Sequence, residues 1–217
     1  MPWNDSELAK RINNPTVLIA DESTNADIYA AWLDDSYHVM TITDGEVVLD
    51  TIDETIDVLI LSRNMTNVSV DNTLAAIREH EFDCQVVLVS EDEPNVDVAE
   101  LDFDDLLVKP ILKDQLLTTV ECMIQRNGYS EQLRKVSRLI SRLSVLKKYI
   151  SSHQLTDSDQ YEALRDSLGI YHLNTDFDPN DLTDRDRARF NRLVNSKYES
   201  ESQDSRDSPP LKVEHSS

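Results

Sequence analysis

Five short β-rich runs punctuate the first 125 residues, and their spacing constrains the fold more than any other feature of the chain. "TVLIA" (16–20), "YHVMTI" (37–42), "DVLILS" (57–62), "CQVVLVS" (84–90) and "DLLVK" (105–109) each read as a strand, and three of them are nearly continuous apolar runs. Runs of that kind belong to strands covered on both faces, as in a parallel sheet. The stretches around 24–35, 45–54, 70–80, 95–101 and 113–126 carry apolar residues three and four apart and are predicted helices. Five such βα units predict an α/β domain, a doubly wound five-stranded parallel sheet.

Chemistry in such a fold gathers at the carboxyl ends of the strands. The residues there are Asp21 and Glu22 after the first strand, Ser62 ending the third, Ser90 ending the fourth, and Lys109-Pro110 after the fifth. Acids, hydroxyls and a Lys-Pro at these strand ends resemble the receiver domain of two-component response regulators. "DIYAAWL", "SRNM", "LAAIREHEFDCQVVLVSEDEP" and "FDDLLVKP" are similar to haloarchaeal receivers, so the resemblance covers residues 16 to about 125. It implies a flavodoxin-like fold in which two acids hold Mg²⁺, an Asp ending the third strand accepts phosphate, a Ser or Thr senses it and a Lys neutralises it. Carried onto this chain, Asp21 and Glu22 form the acidic pocket, Ser90 and Lys109 are the switch-like pair, and Ser62 stands at the phosphoacceptor position.

Ser62 departs from that pattern. A hydroxyl needs a neighbouring base to become a good nucleophile, and no His lies near it in sequence. Mg²⁺ is held octahedrally through carboxylates, water and phosphate, so the loss of one carboxylate leaves weak Mg²⁺ binding at most and no certain cofactor. Asp57 is not a substitute, because it lies five residues back and an odd offset points it to the opposite face. Leu106 stands where the family commonly has an aromatic, and Thr66 where it frequently has Pro. A pseudo-receiver is the expectation.

After Gly128 the period changes. Tyr129, Val136, Leu139, Leu143, Leu146 and Ile150 fall on a heptad seam, the spacing of a helix that packs on another helix. The partner is either the following helices or a second copy, which would make a homodimer. Thr156 reads as an N-cap followed by acids; its helix bears Tyr161, Leu164 and Leu168 and ends near Gly169. A third helix spans about 182–195, with Leu182, Phe190, Leu193 and Val194 on its apolar face. Residues 126–195 resemble the HalX domain through "YSEQLR" and "DSDQYEALRDSLG", which implies a small all-α module and brings no activity with it. Residues 1–15 read as an N-terminal extension, and the polar, aperiodic tail 196–217 as disordered.

Charge separates the two halves. Of 42 acids and 21 bases in the chain, residues 16–125 hold 25 acids and 4 bases, whereas residues 129–195 hold 10 acids and 11 bases. The seam helix carries Arg134, Lys135, Arg138, Arg142, Lys147 and Lys148 against Glu131. A solvated face is the ordinary reading of such a row. Among functional readings, docking onto the acidic receiver ranks above nucleic acid, because no helix-turn-helix, zinc or stacking pattern is present. A DNA-associated transcriptional regulator acting through residues 129–150 is the alternative.

The Asp-rich, Lys-poor composition suits a cytoplasm of concentrated salt, where screening is short-ranged. Cys84 and Cys122 lie in apolar periodic segments and read as reduced core residues. Three glycines cannot supply a P-loop, a Rossmann turn or a nucleophile elbow, and the five histidines are scattered, so an enzyme is not expected. No apolar run reaches about 18 residues. The reading is a cytoplasmic response-regulator-like protein, without a membrane segment, whose partner is a histidine kinase or another signalling protein.

Overall fold

The computed structural model describes residues 14–67, 69–80, 82, 84–174 and 178–204. Strands β1 (Thr16–Ala20), β2 (His38–Ile42), β3 (Val58–Ser62), β4 (Gln85–Ser90) and β5 (Asp105–Val108) form one parallel sheet in the order β2-β1-β3-β4-β5. Every strand lies within a residue of its expected bounds. Burial on both faces is the cause: alternate residues of one strand enter two different cores.

Val17, Ile19, Val58, Ile60, Val87, Val89 and Leu107 point to one side, where α1 (Ser23–Leu33) and α4 (Lys113–Gln125) cover them. Leu18, Ala20, Leu59, Leu61, Val86, Leu88 and Leu106 point to the other, against Leu74 and Ile77 of α3 (Val70–Glu79). Cys84 and Cys122 are free and buried in these opposite cores.

Two predicted helices shrink. Residues 45–54 form a 3-10 turn, Gly45–Val47, running into a four-residue helix α2 (Val48–Thr51), and residues 95–101 form only a 3-10 segment, Val96–Glu100. Both stretches mix β-branched residues with Asp, which competes for local backbone hydrogen bonds, and the second is too short to propagate a helix.

That second shortening leaves part of the sheet bare beside β5. The helices after it fill the gap: α5 (Glu131–Tyr149), α6 (Ser152–Thr156), α7 (Asp159–Asn174) and α8 (Asp184–Asp204). Ser130 caps α5, its hydroxyl accepting the Leu133 N–H at 3.3 Å. The seam residues Val136, Leu139, Leu143, Leu146 and Ile150 are buried in the same core as Val98, Phe103 and Leu106 of the α/β half. Of the two uses the seam left open, the structure therefore shows packing within the chain.

Three helix ends differ from expectation. Thr156 ends α6, which Ser151 caps, and Ser158 rather than Thr156 starts α7 by accepting the Tyr161 N–H at 3.2 Å. Several neighbouring hydroxyls share that capping chemistry, so spacing alone could not choose between them. α7 runs through Gly169, whose φ is not positive. α8 continues to Asp204, into the stretch expected as tail; residues 1–13 and 205–217 lie outside those described. Among the described residues no helix is long and apolar enough to cross a membrane.

Candidate functional site

The carboxyl ends of β1, β3, β4 and β5 meet at one pole of the sheet, beside the switch in strand order between β1 and β3. Asp21 leaves β1 fully buried. Its Oδ1 accepts from the Glu22 N–H at 2.7 Å, from Asn25 Nδ2 at 3.4 Å and from Lys109 Nζ at 3.0 Å, while its Oδ2 has no hydrogen-bond partner. Glu22 is exposed and opens α1 through its backbone, with its carbonyl accepting the Ala26 N–H.

Ser62 is the last residue of β3, 1% exposed and paired in register with Val89. Ser90 closes β4, its hydroxyl donating to the Asp92 carbonyl at 2.8 Å. Lys109 follows β5, its backbone N–H on the Ser90 carbonyl at 2.8 Å, and its ammonium lies 3.7 Å from Glu91 as well as 3.0 Å from Asp21. Although β3 and β4 separate β5 from β1 in the sheet, the lysine reaches back to the first acid. A cleft of about 300 Å³, lined by Arg63, Asn64, Ser90, Asp92, Glu93 and Asn95, opens above β3 and β4. Thus Asp21 and Lys109 are joined and Ser62 and Ser90 lie at adjacent strand ends, but Glu22 is not drawn into the cluster.

Asp57 sits at the other pole. Its Oδ2 accepts from the Thr16 N–H at 2.7 Å and its Oδ1 from Asn127 Nδ2 at 2.9 Å. Its exclusion from the site holds, and strand length does more to enforce it than face does. Tyr29, which sequence reasoning missed, packs near Asp21: burial, and then the Asp21 charge, push its hydroxyl pKa up to about 12.

The family implies Mg²⁺ here, and the residues do not fit it. A hard dication wants several oxygens in octahedral array, but Asp21 offers a single uncommitted oxygen, Glu22 faces solvent and Ser62 is neutral. Among the described residues no group of three or more His, Cys, Asp or Glu is placed to hold a metal ion.

A second cluster ties the two halves of the chain together. Arg126 is fully buried. Its guanidinium grips Asp186 of α8 through Nε at 2.9 Å and through a second nitrogen, donates to the Asp104 carbonyl at 2.9 Å and reaches Ser141 Oγ of α5 at 3.0 Å. Burial works against its charge, but Asp186 outweighs it and raises the pKa. Ser137 and Thr183 also donate to Asp186, each at 3.0 Å.

Beside it, the buried Asp105 pairs with Arg185 at 2.8 Å and Arg189 at 3.0 Å. Burial pushes its carboxyl up, yet Arg189, Arg185 and Arg126 together hold it below the ordinary range. Arg138 and Arg142 of the basic helix lie 3.5 and 3.6 Å from Asp102, which Arg78 holds from the other side at 3.2 Å. Lys135, Lys147 and Lys148 remain exposed, so the basic row divides between docking and solvent.

Residues 17–121 match the family model described as "Response regulator receiver domain", and residues 125–169 the one described as "HalX domain". Over 159 residues, 72% of its length, the chain is 35% identical to a Haloferax volcanii protein named "Putative transcriptional regulator", and covers 27% of that protein. Over 123 residues it is 28% identical to the transcriptional regulatory protein CpxR of Escherichia coli, covering 53% of it. The chain thus spans about a quarter and about half of these relatives' lengths. Among solved structures, the signal receiver domain of a "putative Luxo repressor protein" from Vibrio parahaemolyticus is 25% identical with a TM-score of 0.48, and the match covers 52% of this chain and 92% of that one.

Proposed function

We propose that the chain is a non-enzymatic signalling protein of the two-component class, a pseudo-receiver acting through protein–protein contacts, on the premise that residues 17–121 match the receiver-domain family model and residues 125–169 the HalX one. The observation that carries this is Ser62, buried at the end of β3 where the family places its phospho-accepting Asp. A serine hydroxyl needs a base, and the buried His38 begins β2 at the opposite pole, beside Thr16. The partners are a histidine kinase or another signalling protein.

The test is incubation of the full chain with Mg²⁺ and a labelled small phosphodonor. The wild type takes up no stoichiometric label, and Ser62→Asp does. Stoichiometric label on the wild type that disappears in Ser62→Ala overturns the reading.

A second reading, a DNA-associated transcriptional regulator, is favoured by the names of the two relatives. It ranks below the first because Arg138 and Arg142 are engaged by Asp102. It requires salt-dependent DNA binding that weakens in Arg138→Ala/Arg142→Ala, and no binding at low salt removes it.

A further inference from the structure

Resting on the pseudo-receiver reading, we infer that Lys109 is the built-in counter-cation of the degenerate site: its ammonium holds the place at Asp21 that a divalent ion would need, so the receiver keeps a single charge state without Mg²⁺ or phosphate. Asp21 is fully buried, and a carboxylate taken from water needs a compensating charge or strong donors. It has both, since the Lys109 ammonium, the Glu22 N–H and the Asn25 amide all point at Oδ1. The lysine is itself only 14% exposed, and its second neighbour, Glu91, keeps it in the same corner.

A Mg²⁺ ligated by Oδ1 at about 2 Å would stand against that ammonium. The neutral Ser62 offers no carboxylate to offset the added charge, and Glu22 is exposed, outside the Asp21–Lys109 contact. The remaining Asp21 Oδ2 supplies one acceptor, enough for a water and far short of an octahedron. Within the buried corner the Asp21 carboxylate and the Lys109 ammonium compensate each other directly. The lysine that neutralises phosphate in the family here neutralises the acid permanently.

The experiment uses the full chain and Mg²⁺ itself, titrated to millimolar levels at matched ionic strength, and reads the Tm together with the intrinsic tryptophan fluorescence, to which Trp32 contributes with its ring 5.8 Å from that of Tyr29. The wild type and Lys109→Arg show no saturable response. Ser62→Asp gains one. Lys109→Met has a lowered Tm that millimolar Mg²⁺ restores and matched NaCl does not, as expected when a ligand binds only the folded state. A saturable wild-type response abolished by Asp21→Asn overturns the inference, as does a Lys109→Met that matches the wild type in both readouts. Mg²⁺ binding without phospho-label sinks this inference alone and leaves the pseudo-receiver reading standing; label on Ser62 sinks the reading beneath it.

Discussion

Ser62 and Arg126 are the two residues whose chemistry departs most from their surroundings, and the sequence announces only the first. Ser62 stands out because a strand end with acids on one side and Lys-Pro on the other demands an explanation. The signal for Arg126 is present but quieter: it ends α4 three residues after the buried Met123, and Asp186, in the first turn of α8, falls four residues after Leu182 and four before Phe190, both buried. Opposite charges at core positions of two helices are a pairing hypothesis, provided the helix faces are compared with each other. Removing one partner leaves an uncompensated buried charge, so Arg126→Met or Asp186→Asn should cost about 3–5 kcal/mol in denaturant unfolding, and Arg126→Met/Asp186→Leu should recover most of that loss. Asp105 sets a pH dependence. Its carboxyl pKa is lowered in the fold, so its contribution is complete above the unfolded-state value of about 4 and is lost as pH falls through the folded value. Urea midpoints of wild type and Asp105→Asn should therefore differ near neutrality and converge as the pH falls below the unfolded-state value of about 4 and on through the lowered folded value.

At the scale of elements, strands are easier to read than helices because burial on both faces leaves an uninterrupted apolar run, whereas short helices depend on local competition that spacing does not resolve. The segment Val96–Glu100 is the product of such a competition. The crossover from β4 to β5 makes no full helix, so Leu106 and Phe103 lack cover from their own domain and take it from α5. The heptad seam is legible in the sequence, but its partner is not, since an apolar stripe is the same whether it meets the next helix or another copy. Within the chain the basic residues go with the seam: Arg138 and Arg142 lie beside Asp102 while Val136, Leu139 and Leu143 enter the core next to Phe103 and Leu106. Leu143→Ala, at 1% exposure, should cost about 2–5 kcal/mol, and Ser130→Ala, which removes the cap of α5, about 1 kcal/mol. Calorimetry should rank the two in that order, with no change in mass by light scattering in either variant.

For the molecule as a whole, the receiver and the helices after it share one core and one set of buried ion pairs. Truncation after Gly128 should uncover the β5 side of the sheet, bind a hydrophobic dye and aggregate, while the full chain should unfold in a single transition by both far- and near-UV signals. Asp57 has a further consequence of position. By holding Thr16 and Asn127 with its two oxygens, it brings the start and the finish of the α/β half to the same pole, away from Asp21, Ser62 and Lys109. A surface-immobilisation tether joined ahead of Pro15 would thus leave the opposite end open, with the cleft beside Arg63 presented to whatever flows past.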